Sequence, residues 1–168
     1  SFESLDFRFK TRNTVVDILL NMKYHEAVSS IPDIQIDAEK LLFPDKLNIK
    51  SYDIGVIIGN ALDNAIEACK KLNAENQKVQ TYIRLSSFNK GKMIFIEVEN
   101  TFNGKLVRKK HSEFPITDKS DKNIHGMGFA NMKNTAEKYY GAVDWSVNDN
   151  IFTLTVMMKN ERRMEHEY

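Results

Sequence analysis

Apolar and polar positions change period several times along this chain, and each change marks a predicted element. Over residues 13–30 apolar side chains recur at helical spacing. Val16, Leu19, Leu20 and Ala27 fall on or near one face with Lys23 among them, and Asn13 is placed to cap the start. After Pro32 the string IQIDAEKLLF alternates well enough for a strand or two short ones. Pro44 opens a polar loop, and Ser51 offers an N-cap for a long second helix over residues 52–72. VQTYIRLSSF and MIFIEVEN then alternate as strands, joined by a tight turn at Asn89, Lys90 and Gly91. Residues 101–125 are polar and basic and follow neither period. So long an irregular stretch in a small domain is usually functional or disordered. Helical spacing returns over residues 128–140, with Phe129, Met132, Ala136 and Tyr139 on one face and Gly141 closing the helix. AVDWSV and IFTLTVMM form a last hairpin around Asp149 and Asn150, and KNERRMEHEY is a solvated tail. Helices alternating with antiparallel pairs predict a two-layer α/β (α+β) sandwich, a mixed, largely antiparallel sheet covered by helices on one face.

Composition narrows the classes. The 168 residues are 42% hydrophobic and 28% charged, enough for one compact core. A net charge of +1 provides no global field for recruiting nucleic acid or an acidic membrane surface. One cysteine, Cys69, excludes a disulfide framework and a cysteine-built metal site, and its place in an apolar helical stripe reads as packing. No apolar run approaches the roughly 18 residues of a membrane span and no signal peptide is present, so the chain reads as a soluble intracellular piece.

Two strings carry candidate chemistry. On the second helix Ile54, Ile58, Ala61, Leu62, Ala65 and Cys69 share one face, while Asn60, Asn64 and Glu67 lie opposite. A solvated face is the plain reading of those polar residues. Against it, Val56 and Ile57 flank them, and asparagine is a poor helix former with no structural use in mid-helix. Amide oxygens are hard neutral acceptors, able to ligate a magnesium ion held mostly by phosphates and water. The second string, HGMGFANM, sets Gly126 and Gly128 before the third helix, where backbone N–H groups can meet an anion. A flexible loop before a helix would look the same. No P-loop occurs, and Asn131 breaks the dinucleotide fingerprint.

NALDNAIEA resembles the N box of the Bergerat-fold (GHKL) ATPases, a family that includes sensor histidine kinases, gyrase-type ATPases and anti-sigma-factor kinases. The resemblance implies that Asn64 coordinates Mg2+ and that Asn60 supports the ion or its water shell. The hydrolysing branches typically carry a glutamate at the position of Asn60. An amide takes no proton at neutral pH, so this site should hold ATP without activating a water. HGMGF then resembles the second glycine box, giving the backbone amides of Gly126, Met127 and Gly128 to the phosphates. Residues 101–125 resemble the ATP lid. The resemblance implies that Phe114 would be its anchoring aromatic, that Lys119 and Lys122 would reach the terminal phosphates, and that His125 would do the same or brace the loop. The adenine-recognising pattern D-x-G-x-G falls on EVENTFNG, where Asn100 and Gly104 keep the spacing but asparagine replaces aspartate and Phe102 replaces a glycine. A neutral acceptor makes a weaker bond to the adenine amino group, so Asn100→Asp is expected to tighten binding. The strand end V-E-N-T-F, TDK before HGMGF and the leading helix TRNTVVDILLNMK resemble the accessory-gene-regulator and competence group of peptide-sensing kinases.

That group carries an H-D-x-[RK]-N-H acceptor motif on an upstream helix. None of His25, His111, His125 and His166 lies in such a motif. The resemblance therefore implies the catalytic domain of a two-component sensor histidine kinase, which binds Mg-ATP and passes the γ-phosphoryl to a histidine in another segment. Residues 1–30 would end the dimerisation and histidine-transfer region, residues 31–158 would be the ATP-binding domain, and residues 159–168 a tail. The implied partners are ATP, the protein's own dimerisation and histidine-transfer domain, a response regulator and a second copy in the full-length kinase, with no nucleic acid. The implied location is cytoplasmic, on a parent anchored in the membrane. The rival is a nucleotide-gated interaction module without phosphotransfer.

Overall fold

The computed structural model describes residues 8–108, 115–116 and 122–161, and of the residues between 107 and 126 the backbone alone. α1 (Thr14–Ser30) starts at the expected cap, where the Asn13 side-chain oxygen accepts from the Val16 amide at 3.1 Å. Such a cap contributes about 1 kcal/mol. The helix buries Val16, Leu20 and Ala27 against its neighbours.

β1 (Gln35–Lys40) is shorter than the alternating string. Beyond it Leu41 and Phe43 turn into the core, and the Phe43 amide donates to the Thr11 carbonyl at 2.8 Å. α2 (Ser51–Glu75) is longer than expected at both ends. Lys50 rather than Ser51 holds the N-cap position, without a side-chain bond, and Ser51 lies in the first turn.

β2 (Tyr82–Lys90) and β3 (Met93–Thr101) form a hairpin whose turn is Gly91 and Lys92, since Lys90 pairs with Met93. Gly91 stands at φ 59°, in the region that favours glycine. β4 (Val107–Arg108) and β5 (Pro115–Ile116) make a small separate ladder inside the stretch expected to be irregular. α3 (Lys122–Lys138), β6 (Ala142–Asn148) and β7 (Ile151–Lys159) complete the order. No described helix is long and apolar enough to cross a membrane.

The five-stranded sheet runs β1-β2-β3-β7-β6. Only the β1–β2 pair is parallel, with Ile36 opposite Ile83, and α2 forms its crossover. The sheet is thus mixed and largely antiparallel, covered by helices, as the sequence predicts. β7 and β3 as far as Asn100 alternate: Ile94, Ile96, Val98, Phe152, Leu154, Val156 and Met158 are buried, and the residues between them are half exposed. Against this face α2 buries Ile54, Ile57, Ile58, Leu62 and Ile66, so α2 is the central helix of the single core. Removing one such aliphatic side chain down to alanine typically costs about 2–5 kcal/mol.

The end of α3 is fixed by shape. Tyr140, not Gly141, takes the left-handed position at φ 54°, and the Gly141 amide bonds back to Ala136 at 2.9 Å. Gly141 is required for space instead, because a Cβ there would fall 1.7 Å from the Met157 carbonyl oxygen.

Candidate functional site

The two asparagines of α2 are half-buried. Asn60 donates from Nδ2 to the Val56 carbonyl, one turn back, at 2.7 Å. A carbonyl can only accept, so this bond fixes which way the amide is turned and leaves Oδ1 as the outward atom. That oxygen faces α3: a Cβ built on Gly128 would lie 3.2 Å from Asn60 Oδ1. Residues 68 positions apart therefore meet at one point, which brings the asparagine string and the glycine string together. Asn64 lies one turn further along α2, and its side chain has no hydrogen bond to the described residues. The neighbouring carboxylate of Asp63 pairs with Lys23 of α1 at 2.7 Å instead. Glu67 is half-buried and engaged by a partner.

The glycine string departs from expectation. α3 is already helical from Lys122, so Gly126, Met127 and Gly128 lie in its second turn and not ahead of it. In a helix the amide of each residue bonds the carbonyl four residues earlier, so these three amides are not the orphan donors of the helix start. No proline stops the helix within this stretch, and a helical glycine costs only about 1 kcal/mol relative to alanine. Met127 is exposed and Gly128 half-buried. The side chains of Lys122 and His125 lie outside the described residues, as do Phe114 and Lys119 entirely.

At the end of β3, Asn100 is 2% exposed, on the face shared with Ile96 and Val98. Its Nδ2 donates to the Thr101 carbonyl at 2.9 Å. Its Oδ1 accepts no hydrogen bond from the described residues. The Thr101 hydroxyl accepts from the Tyr82 amide at 3.1 Å, and Cys69 Sγ of α2 lies 3.6 Å from the Thr101 carbonyl. Burial pushes the Cys69 thiol up to about 11, and its bond to Thr101 offsets part of that rise.

Phe102 does not leave the room a glycine would. It is buried edge-to-face against Phe152, with ring centroids 6.2 Å apart, and its amide donates to the Asn150 carbonyl at 2.9 Å. Gly104 stands at φ 80°, which explains a glycine at that position. Between them Asn103 ties the chain to Glu75 at the end of α2 at 3.0 Å.

One cluster was missed by sequence reasoning. Asp53, 4% exposed in the first turn of α2, accepts a short hydrogen bond from the Tyr139 hydroxyl and pairs with Lys138 at 3.3 Å. The same hydroxyl accepts from the Lys50 amide at 3.2 Å. Only an aspartate inside an apolar helical face hinted at it. The cluster joins the start of α2 to the end of α3, while Asn60 and Gly128 meet further along, so the helices pack antiparallel.

Among the described residues no group of three His, Cys, Asp or Glu gathers to hold a metal. The donors on offer are the neutral amides of Asn60 and Asn64. Such a set fits a magnesium ion carried by a polyphosphate and does not fit an ion held by protein alone.

Residues 49–159 match the GHKL domain family. No curated protein sequence matches the chain. Among solved structures, the histidine kinase AdeS of Acinetobacter baumannii superposes with a TM-score of 0.64 at 14% identity, over 95% of this chain and 71% of that one. Two nucleotide-free forms of the catalytic domain of histidine kinase ThkA are also similar. One has a TM-score of 0.63 at 16% identity, over 95% of this chain and 100% of that one. The other has a TM-score of 0.62 at 14% identity, over 89% and 95%.

Proposed function

Because the chain belongs to the GHKL domain family, we propose that it is the ATP-binding catalytic domain of a two-component sensor histidine kinase. The observation that carries this reading is the meeting of Asn60 Oδ1 with Gly128, which joins two sequence strings into one site between α2 and α3. Asn60 and Asn64 would hold magnesium together with the ATP phosphates, and the bound ion would neutralise phosphate charge. The side chains of Lys119, Lys122 and His125 would serve the phosphates, while Gly128 would leave room for them beside Asn60. Asn100 would take the adenine amino group.

The reaction moves the γ-phosphoryl from ATP to an imidazole nitrogen: the N–P bond forms, the bond to the bridging oxygen breaks, and ADP leaves. The chain's own residues position and shield charge. Asn60 cannot accept a proton, so hydrolysis by an activated water is disfavoured.

In this reading the acceptor histidine belongs to a separate segment. Residues 1–30 would end the dimerisation and histidine-transfer region, of which α1 packs against α2. The parent would be a membrane-anchored homodimer of the peptide-sensing group that phosphorylates a response regulator. The neutral acceptor at Asn100 favours one rival, a nucleotide-gated module without transfer, and a phosphotransfer assay on the parent kinase separates the two. The primary test is calorimetric titration with Mg-ATP. Wild type should bind, and Asn64→Ala should lose at least tenfold in affinity with its fold unchanged. Equal affinity in the two proteins would remove the assignment of the site.

A further inference from the structure

Asn100 is the only buried asparagine or glutamine among the described residues. Its amide is not free to turn over. Nδ2 is bonded to the Thr101 carbonyl at 2.9 Å, and a carbonyl tolerates only a donor there. The Thr101 peptide is itself held. Its hydroxyl takes the Tyr82 amide at 3.1 Å, and its carbonyl lies 3.6 Å from Cys69 Sγ. What remains besides the second Nδ2 hydrogen is Oδ1, an acceptor with no described partner at a position 2% exposed. A buried acceptor left unpaired costs about 1–3 kcal/mol, so the arrangement calls for a ligand donor.

We propose that Thr101 is a positioning residue that locks Asn100 as a one-way acceptor, and that the site therefore requires a neutral side chain at position 100. This deepens the ATP-binding reading and rests on it. The ligand class follows from the lock. A base with an exocyclic amino group can donate to Oδ1, whereas a 6-oxo purine seated in the same way would set oxygen against oxygen. The sequence-based expectation for aspartate also changes sign. An ionised carboxylate at position 100 would press an oxygen against the Thr101 carbonyl, where Nδ2 now donates. Only the protonated acid reproduces the amide, with its O–H on the Thr101 carbonyl and its other oxygen free to accept.

The surroundings keep the wild-type site neutral. The register partners of Asn100 are Ile83 on β2 and Phe152 on β7. α3 gives Phe129, Met132 and Ala136 to the same core. The thiol of Cys69 on α2, raised to about 11, stays protonated at neutral pH.

The test is calorimetric titration of wild type, Asn100→Asp and Thr101→Val with Mg-ATP and Mg-ITP, the latter carrying a 6-oxo group, from about pH 5.5 to 8. Taking the variant-to-wild-type ratio of Kd cancels the protonation of the nucleotide and of groups common to both proteins. Wild type should prefer ATP to ITP by roughly tenfold or more, the loss of one hydrogen bond in a buried site. Asn100→Asp should bind Mg-ATP roughly tenfold more weakly at pH 8, with the gap closing as pH falls. Thr101→Val keeps the side-chain shape and removes the hydroxyl acceptor. It should lower the ATP-to-ITP preference, where a merely structural role would weaken both ligands equally. Tighter binding by Asn100→Asp at every pH, a gap that does not change with pH, or an unchanged preference in Thr101→Val would each overturn the lock. Wild type that binds neither nucleotide would instead overturn the ATP-binding reading itself.

Discussion

Gly128 shows how one residue can serve two ends that pull in opposite directions. As a helical position it is poor, since glycine in a helix interior costs about 1 kcal/mol relative to alanine. As a contact it keeps Cβ volume away from Asn60 Oδ1, which would lie 3.2 Å from an added carbon. Relieving that contact asks the amide to shift by a few tenths of an ångström against its bond to Val56. Gly128→Ala should therefore leave the apo domain as stable or up to about 1 kcal/mol more stable, while weakening Mg-ATP binding severalfold. Urea unfolding and calorimetric titration on the same preparations separate the two effects. Stability and affinity falling together would mean that Gly128 is only a packing residue. Asn60 shows the limit of reading a face from spacing: its string is legible, but the orientation of its amide depends on a bond that spacing does not specify.

At the scale of elements, periods that repeat within a segment were legible and partners far along the chain were not. The Asn13 cap and the alternation of β3 and β7 are local, and both stand where the sequence places them. The parallel partner of β1 lies beyond α2, and no turn residue announces it. The start of α3 was misplaced because glycines next to a phosphate-binding motif read as loop, whereas helix hydrogen bonds run through them. The clamp of Asp53 on Tyr139 joins residues 86 apart in sequence. It can be measured. Tyr139→Phe keeps the ring and removes the hydroxyl, leaving Asp53 with Lys138 alone and the Lys50 amide without its acceptor. The expected loss is about 1–3 kcal/mol in urea unfolding, the penalty for stranding buried polar groups. An unchanged midpoint would mean that solvent or Lys138 satisfies Asp53 equally well, and that α2 and α3 are joined by apolar packing alone.

For the whole molecule the decisive feature is that the core and the candidate site share the same two helices. α2 buries Ile54, Ile58 and Leu62 in the core and turns Asn60 toward α3, so a ligand bridging α2 and α3 ties together elements that must separate on unfolding. Any ligand that binds only the folded chain stabilises it by RT ln(1 + [L]/Kd), about 2.7 kcal/mol at a hundredfold excess over Kd. In a domain of this size 1 kcal/mol moves the midpoint by roughly 2–4 °C, so saturating Mg-ATP should raise Tm by about 5–10 °C. The Asn64 side chain has no hydrogen bond to the described residues, and alanine is the better helix former, so Asn64→Ala should keep the apo Tm or raise it slightly. The same variant should lose most of the nucleotide-induced shift. Thermal scans of both proteins, with and without nucleotide and magnesium, supply the comparison. An equal shift in wild type and variant would place the nucleotide away from Asn64, and no shift in wild type at millimolar nucleotide would leave the seam between α2 and α3 as a structural joint only.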